Sequence, residues 1–234
     1  MALRLTGRLL STTWQCFSKH HAAAPSISLV QYCTCGSDDK AISRSPVPDK
    51  STLPQDMQDT MAEVEEKSGF LPNVFKALAH RPEEFRAFFK YYDALMAKET
   101  GNLTKADREM IVVATSATNN CMYCVVSHGA LLRIYSKKPH LADQVATNWH
   151  VADLDARQKA ILEFATAVGA SETITEEHFQ KLEPHGLDRE DAWDIGAIAA
   201  LFALSNRMAH LTNMRANDEF YLMGRIPREK KAAT

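Results

Sequence analysis

The chain of 234 residues has little of what specialised proteins are built from. Five Cys are too few for a disulfide scaffold, and nine Gly with nine Pro are too few for a collagen-like or low-complexity chain. No charge of one sign dominates: 27 Lys and Arg against 29 Asp and Glu leave a formal net charge of −2, which offers no cationic face for a nucleic-acid backbone. No stretch of strand length alternates apolar with polar residues, which excludes sheet as the main element. There is no phosphate-binding glycine loop and no flavin or haem signature, so no bound cofactor is expected. What remains, 45% apolar and 24% charged residues, is the balance of a globular protein with one good core. Any chemistry must then come from a local group of side chains.

Acidic residues are absent from positions 1–37, which carry Arg4, Arg8 and Lys19, whereas the rest of the chain holds 24 bases against 29 acids. On a helical wheel Leu3, Leu10, Trp14 and Phe17 fall on one side and the three bases on the other. A basic, amphipathic, Ser/Thr-rich and acid-free start reads as a mitochondrial transit peptide and predicts a matrix location. Cys16, Cys33 and Cys35 lie in this segment and are expected to leave with it. Residues 38–54 carry Pro46, Pro48 and Pro54 among polar neighbours and read as a linker. Residues 226–234 read as a solvated tail.

Between them, residues 55–225 are predicted to form an all-α domain, because apolar positions recur at three- and four-residue intervals. Met57, Met61 and Val64 mark a first helix that stops at Gly69; Pro72 and Pro82 open the next two. The helix from Pro82 turns Phe85, Phe88, Phe89, Tyr92 and Leu95 toward a core. Thr104 with Asp107 reads as a capping box for a helix from Lys105 to about Asn119, and another helix runs from near Cys121 to about Ile134. Further starts fall at Pro139, Asp155, Thr175 and Asp188, with a break expected at Ser205-Asn206 and a final helix holding Met208, Leu211, Phe220 and Tyr221. Residues 110–132 contain no Asp, Glu, Lys or Arg, but Thr115, Ser116, Asn119, Asn120 and His128 would lack partners in hydrocarbon. The run reads as buried core rather than as a membrane span. Leu103 and Leu187 open similar helix pairs, a hint of internal duplication that sets Cys121 opposite Ser205.

Chemistry concentrates in Cys121-Met122-Tyr123-Cys124, then His128, with Glu109 on the preceding helix. Two cysteines three apart at a helix start lie on one face and can join as a disulfide with little backbone movement. Unpaired amides and the dipole at a helix N-terminus favour a thiolate. His128 stands one turn beyond Cys124 and two beyond Cys121, so its imidazole can accept or relay a thiol proton. A carboxylate at Glu109, next to an uncharged run, is costly unless it holds that imidazole. Taken singly, each residue also has a packing explanation: core cysteines, a core histidine, a first-turn carboxylate. Zinc is poorly served, since Cys121, Cys124 and His128 give three ligands and no second pair completes a closed site. Geometry alone does not order the cysteines: the helix dipole favours Cys121 as nucleophile and the spacing of His128 favours Cys124.

The spacing Glu109, eleven residues, Cys121-x-x-Cys124, three residues, His128 resembles the motif of the alkylhydroperoxidase D-like family, within the carboxymuconolactone decarboxylase superfamily. Gly69-Phe70-Leu71-Pro72-Asn73-Val74, Trp193-Asp194-Ile195-Gly196, Ser205-Asn206-Arg207 and Asn217-Asp218-Glu219-Phe220-Tyr221 are similar to its peroxidase-related branch. The resemblance implies an all-helical fold with pseudo-repeats, assembly into trimers or hexamers, and thiol-dependent reduction of a hydroperoxide by a cycling disulfide. It implies that Cys124 attacks peroxide, Cys121 resolves, His128 and Glu109 relay the proton, and an external dithiol, such as a lipoylated or thioredoxin-like protein, restores the pair. Better-known members carry His between the two cysteines, where this chain has Tyr123. Two other readings stay open: a dithiol oxidoreductase acting on a protein or lipoyl partner, and a non-catalytic helical oligomer.

Overall fold

Helix α4 (Lys105–Thr118) sets the architecture, because it is buried on every side: all ten residues from Asp107 to Ser116 are shielded from solvent. Such a helix has to be wrapped by others. In a computed structural model of the chain, which describes residues 41–225, that wrapping comes from α5 (Met122–Ser136), α6 (Leu141–Asn148), α7 (Ala156–Gly169) and α9 (Arg189–Thr212). Three helices precede it, α1 (Gln55–Ser68), α2 (Asn73–Leu78) and α3 (Pro82–Met96); α8 (Glu176–Gln180) and α10 (Glu219–Leu222) complete the set. The described residues hold no strand, and none of their helices is long and apolar enough to cross a membrane. The transit-peptide reading of residues 1–37 and the tail 226–234 lie outside the described residues.

Caps read from the sequence define the ends. Thr104 accepts from the Asp107 amide at 3.1 Å while Asp107 accepts from the Thr104 amide at 2.9 Å, so two orphan donors at the start of α4 are satisfied reciprocally. Asp155 with Gln158 does the same for α7, and Asp188 with Asp191 for α9. Gly69 ends α1 at a φ of 84°, a left-handed conformation open to glycine without strain. The charged run in the core of α4 is also matched: Arg108, 1% exposed, donates to the Leu95 carbonyl at 3.0 Å and lies 3.3 Å from Asp194, which Lys98 meets at 2.8 Å.

Three expectations are corrected. No break occurs at Ser205-Asn206: α9 runs unbroken to Thr212, because the Asn206 amide is satisfied across the interior by Ser116 and Asn119 rather than by its own backbone. Met208 and Leu211 therefore belong to α9, and only Phe220 and Tyr221 lie in α10. The helix expected from Pro139 starts at Leu141. The proline-rich stretch is held along much of its described length: the Arg44 amide donates to the Thr212 carbonyl at 2.6 Å and Ile42 accepts from the Arg215 amide at 3.0 Å. Carbonyls at a helix C-terminus lack intrahelical partners, and this strap supplies one. Leu53 is then buried with Met57, Met61, Leu71 and Phe85 in a small core beneath α1 to α3.

Candidate functional site

The α4–α5 hairpin brings the chemistry together. Asn120 adopts a φ of 54°, and the Cys121 amide donates back to the Ser116 carbonyl at 2.9 Å, so the chain reverses tightly and α5 begins at once. Cys121 is its N-cap residue and Cys124 lies in its first turn; both are free thiols with about 1% exposure. One turn on, the His128 Nδ1 meets Glu109 Oε2 of α4 at 2.7 Å, both side chains being buried. The carboxylate fixes the ring as the tautomer with hydrogen on Nδ1 and leaves Nε2 as the basic nitrogen. Phe202 stands edge-on to the ring at 4.6 Å between centroids. All four residues singled out in the sequence are thus brought to one hairpin. His128 is bonded to Glu109 and to neither sulfur.

The two thiols differ in their surroundings. Cys124 donates to Cys121, and the Cys124 backbone amide, one of the unpaired donors of the helix start, points the same way; together they draw Cys121 from the ordinary thiol value of 9.0 down to about 6. His210 and Asn206 act in the same direction. Cys124 is pushed well up, by its bond to Cys121 and by burial. Of the two thiols, Cys121 is therefore the one that ionises first. Ser205 Oγ lies 3.8 Å from the Cys124 sulfur.

Cys124 and His128 line one cavity of about 400 Å³, whose walls include the rings of Phe88, Phe89, Tyr92 and Phe202 and the charged Glu63, Lys67 and Asp93. The apolar face of α3 is turned to the core as expected, Phe85 and Leu95 buried in it and Phe88, Phe89 and Tyr92 packed against it, and the last three also border this cavity. Cys121 lines a different cavity of about 790 Å³, whose walls include Asn120, His210, Asn213, Arg215 and Asp218. Tyr123, in the place between the cysteines, borders both, and its hydroxyl accepts from the Val74 amide at 3.0 Å. Sequence reasoning missed Ser205, Asn206 and His210. Ser205-Asn206 was legible as a polar pair in an apolar helix but was read as a break, and the offset between the duplicated helix pairs already set Ser205 opposite Cys121. Among the described residues no three His, Cys, Asp or Glu side chains gather as a metal-holding group.

Comparison with known proteins agrees with this fold. The model of the carboxymuconolactone decarboxylase family matches residues 82–167, which span α3 to α7. A peroxidase-related protein with an alkylhydroperoxidase AhpD core from Ralstonia eutropha is 60% identical, at a TM-score of 0.79, over 81% of this chain and 100% of that one. The chain belongs to the carboxymuconolactone decarboxylase family. A peroxidase-related protein from a Silicibacter species is 38% identical over 81% of this chain and 99% of that one, at a TM-score of 0.75. The debrominase Bmp8, 21% identical over 78% of this chain and 95% of its own at a TM-score of 0.61, shares the fold. No curated protein matches the chain. Membership in the family, in its AhpD-like form, fits the helix pairs and places α4 and α5 at the centre of the shared domain.

Proposed function

We propose that the protein is a thiol-dependent reductase of organic hydroperoxides, cycling between a Cys121–Cys124 dithiol and disulfide. The observation that carries this reading is that Cys124 lines the same cavity as a carboxylate-held imidazole while a second thiol stands one helical turn away. The sulfur that bears the resting charge is not the one that meets the peroxide. A proton passes from Cys124 to Cys121 along the bond between them, and the Cys124 thiolate attacks the outer oxygen of the hydroperoxide. The O–O bond breaks, Cys124 becomes a sulfenic acid, and the alkoxide takes a proton and leaves as alcohol. His128, bonded to neither sulfur but lining the cavity, takes a proton from solvent on Nε2 before the step and gives it to the alkoxide, and Glu109 stabilises the imidazolium in between. Cys121 then condenses with the sulfenic acid, releasing water, and an external dithiol reduces the disulfide.

Two relatives named as peroxidase-related, at 60% and 38% identity, support the reaction class. The ring-lined walls favour an organic hydroperoxide over hydrogen peroxide, since apolar surface on both sides is removed from water. The test is consumption of cumene hydroperoxide by the purified chain with dithiothreitol in excess. Turnover should vanish in Cys124→Ser and in Cys121→Ser; turnover at the wild-type rate in both variants would overturn the reading. A matrix location is part of the proposal, supported by the acid-free start of the chain, and a fluorescent protein fused to residues 1–37 should enter mitochondria.

A further inference from the structure

Beyond the cavity at the thiols, α3 and α9 part to leave a second space. Leu201, Leu204, Ser205, Met208 and Leu211 recur at intervals of three and four residues, which sets them on one side of α9, and Phe85, Phe88 and Tyr91 do the same on α3. Between the two faces lies a groove of about 590 Å³, the size of a small-molecule site. Leu204, Leu211 and Tyr91 on its walls are exposed, at 53%, 68% and 48%, and together they form the kind of apolar patch that marks a binding groove. The one Arg and one Glu on its walls are paired with each other: Arg81 Nε donates to Glu84 at 2.9 Å. That pairing leaves the groove to select a ligand by its apolar length rather than by a charged head group.

The groove meets the cavity of Cys124 and His128 at three half-buried residues, Val74, Phe88 and Ser205, which border both spaces. Ser205 stands at the junction, with its Oγ 3.8 Å from the Cys124 sulfur. We infer that the groove is the chain-binding half of the substrate site: the hydroperoxide group sits at Cys124 and His128, and a long unbranched alkyl chain runs past Ser205 between α3 and α9. The inference rests on the peroxidase reading above and adds the substrate class, hydroperoxides carried on a long alkyl chain, and the place where that chain lies. Phe88, the largest of the three shared residues, is the side chain that gives way as the chain passes. The direction follows from what else borders the cavity. Glu63, Lys67 and Asp93 on its walls would lose water against an alkyl chain with nothing in return, whereas the walls of the groove gain from each methylene they bury, up to about fourfold in affinity. A second copy of the chain would cover the exposed rim of the groove but would make no use of its junction with the sulfur.

Chain length is the variable to test. The reduced full chain is mixed with n-butyl or n-dodecyl hydroperoxide at equal low concentration, below that at which the longer one aggregates, and the loss of thiols is timed. The n-dodecyl compound should react at least about tenfold faster. Leu204→Arg and Met208→Trp alter residues that border the groove and not the cavity. Each should bring the n-dodecyl rate to within about twofold of the n-butyl rate, and leave the n-butyl rate within about twofold of wild type. Equal rates for the two peroxides in the wild-type chain, or a long-chain advantage that survives both variants, would overturn the inference and leave the peroxidase reading standing. Slowing of both peroxides alike would also overturn it, and a change in sedimentation alongside would assign the groove to a second copy. Thiols that survive both peroxides would sink the peroxidase reading instead. The fluorescence of cis-parinaric acid then decides the groove alone: binding by the wild-type chain that both variants abolish keeps it as an alkyl-chain site, and binding that neither variant alters removes it.

Discussion

Glu109 Oε2 lies 2.7 Å from His128 Nδ1, and the pair is buried on facing helices of the central hairpin. A carboxylate in that position, on a helix buried on all sides, is held there by the charge it can share with the imidazole. Replacing Glu109 by Gln keeps an acceptor for the Nδ1 hydrogen but removes the charge that stabilises imidazolium. Thiol loss to cumene hydroperoxide should slow about tenfold, and His128→Gln should slow it about a hundredfold, with the helical circular dichroism of both variants unchanged. An unaltered rate in both would remove the relay from the mechanism.

The lowered Cys121 thiol gives a sign as well as a midpoint. A group whose value drops from 9.0 to about 6 is thiolate over the whole interval between, so alkylation by iodoacetamide should rise through pH 6 and level off by about pH 7.5. An ordinary thiol would still be gaining reactivity at pH 9. In Cys124→Ala the sulfur that donates to Cys121 is gone, and the midpoint should move back up. Peptide mass after brief alkylation across pH 5 to 9 checks both expectations.

Asn206 is fully buried, donates to Ser116 Oγ at 2.9 Å and accepts from Asn119 at 2.9 Å, and so ties α9 to the end of α4 beside the thiols. Asn206→Leu leaves the buried Ser116 hydroxyl and the half-buried Asn119 amide without this partner. Urea unfolding should show a loss of about 1–3 kcal/mol. Because Asn206 also helps lower Cys121, the alkylation midpoint of this variant should rise.

Much of this was legible in the sequence because its signals are local. Thr104 and Asp107 carry their capping box in their spacing and it forms, and Asp155 and Asp188 start helices as expected, each completing a box with the residue three on. The Glu-Cys-Cys-His set was legible for the same reason: α5 fixes three of its members and one hairpin turn fixes the fourth. What was not legible depends on distant partners. Ser205-Asn206 looks like a helix break until Ser116 and Asn119 arrive to satisfy it, and Arg44 looks like linker until its amide finds the Thr212 carbonyl. Phe88, Phe89 and Tyr92 have the periodicity of core residues and do pack against the core, but period alone does not show that they also border a cavity.

Arg108 carries the largest single-residue expectation for stability. With 1% exposure and Asp194 at 3.3 Å, its loss leaves a buried carboxylate with only Lys98, whose side chain is 32% exposed. Arg108→Met should cost about 3 kcal/mol in urea unfolding of the reduced protein, although it touches neither thiol.

The central claim is that Cys121 and Cys124 are one redox unit driven by hydroperoxide. The reduced, desalted chain should be mixed with one equivalent of tert-butyl hydroperoxide and followed by intact mass and disulfide-mapped peptides. Loss of two hydrogens, assigned to a Cys121–Cys124 bond and slowed by Glu109→Gln, is the result predicted; persistence of both thiols, or oxygen added to one cysteine without a disulfide, would contradict it.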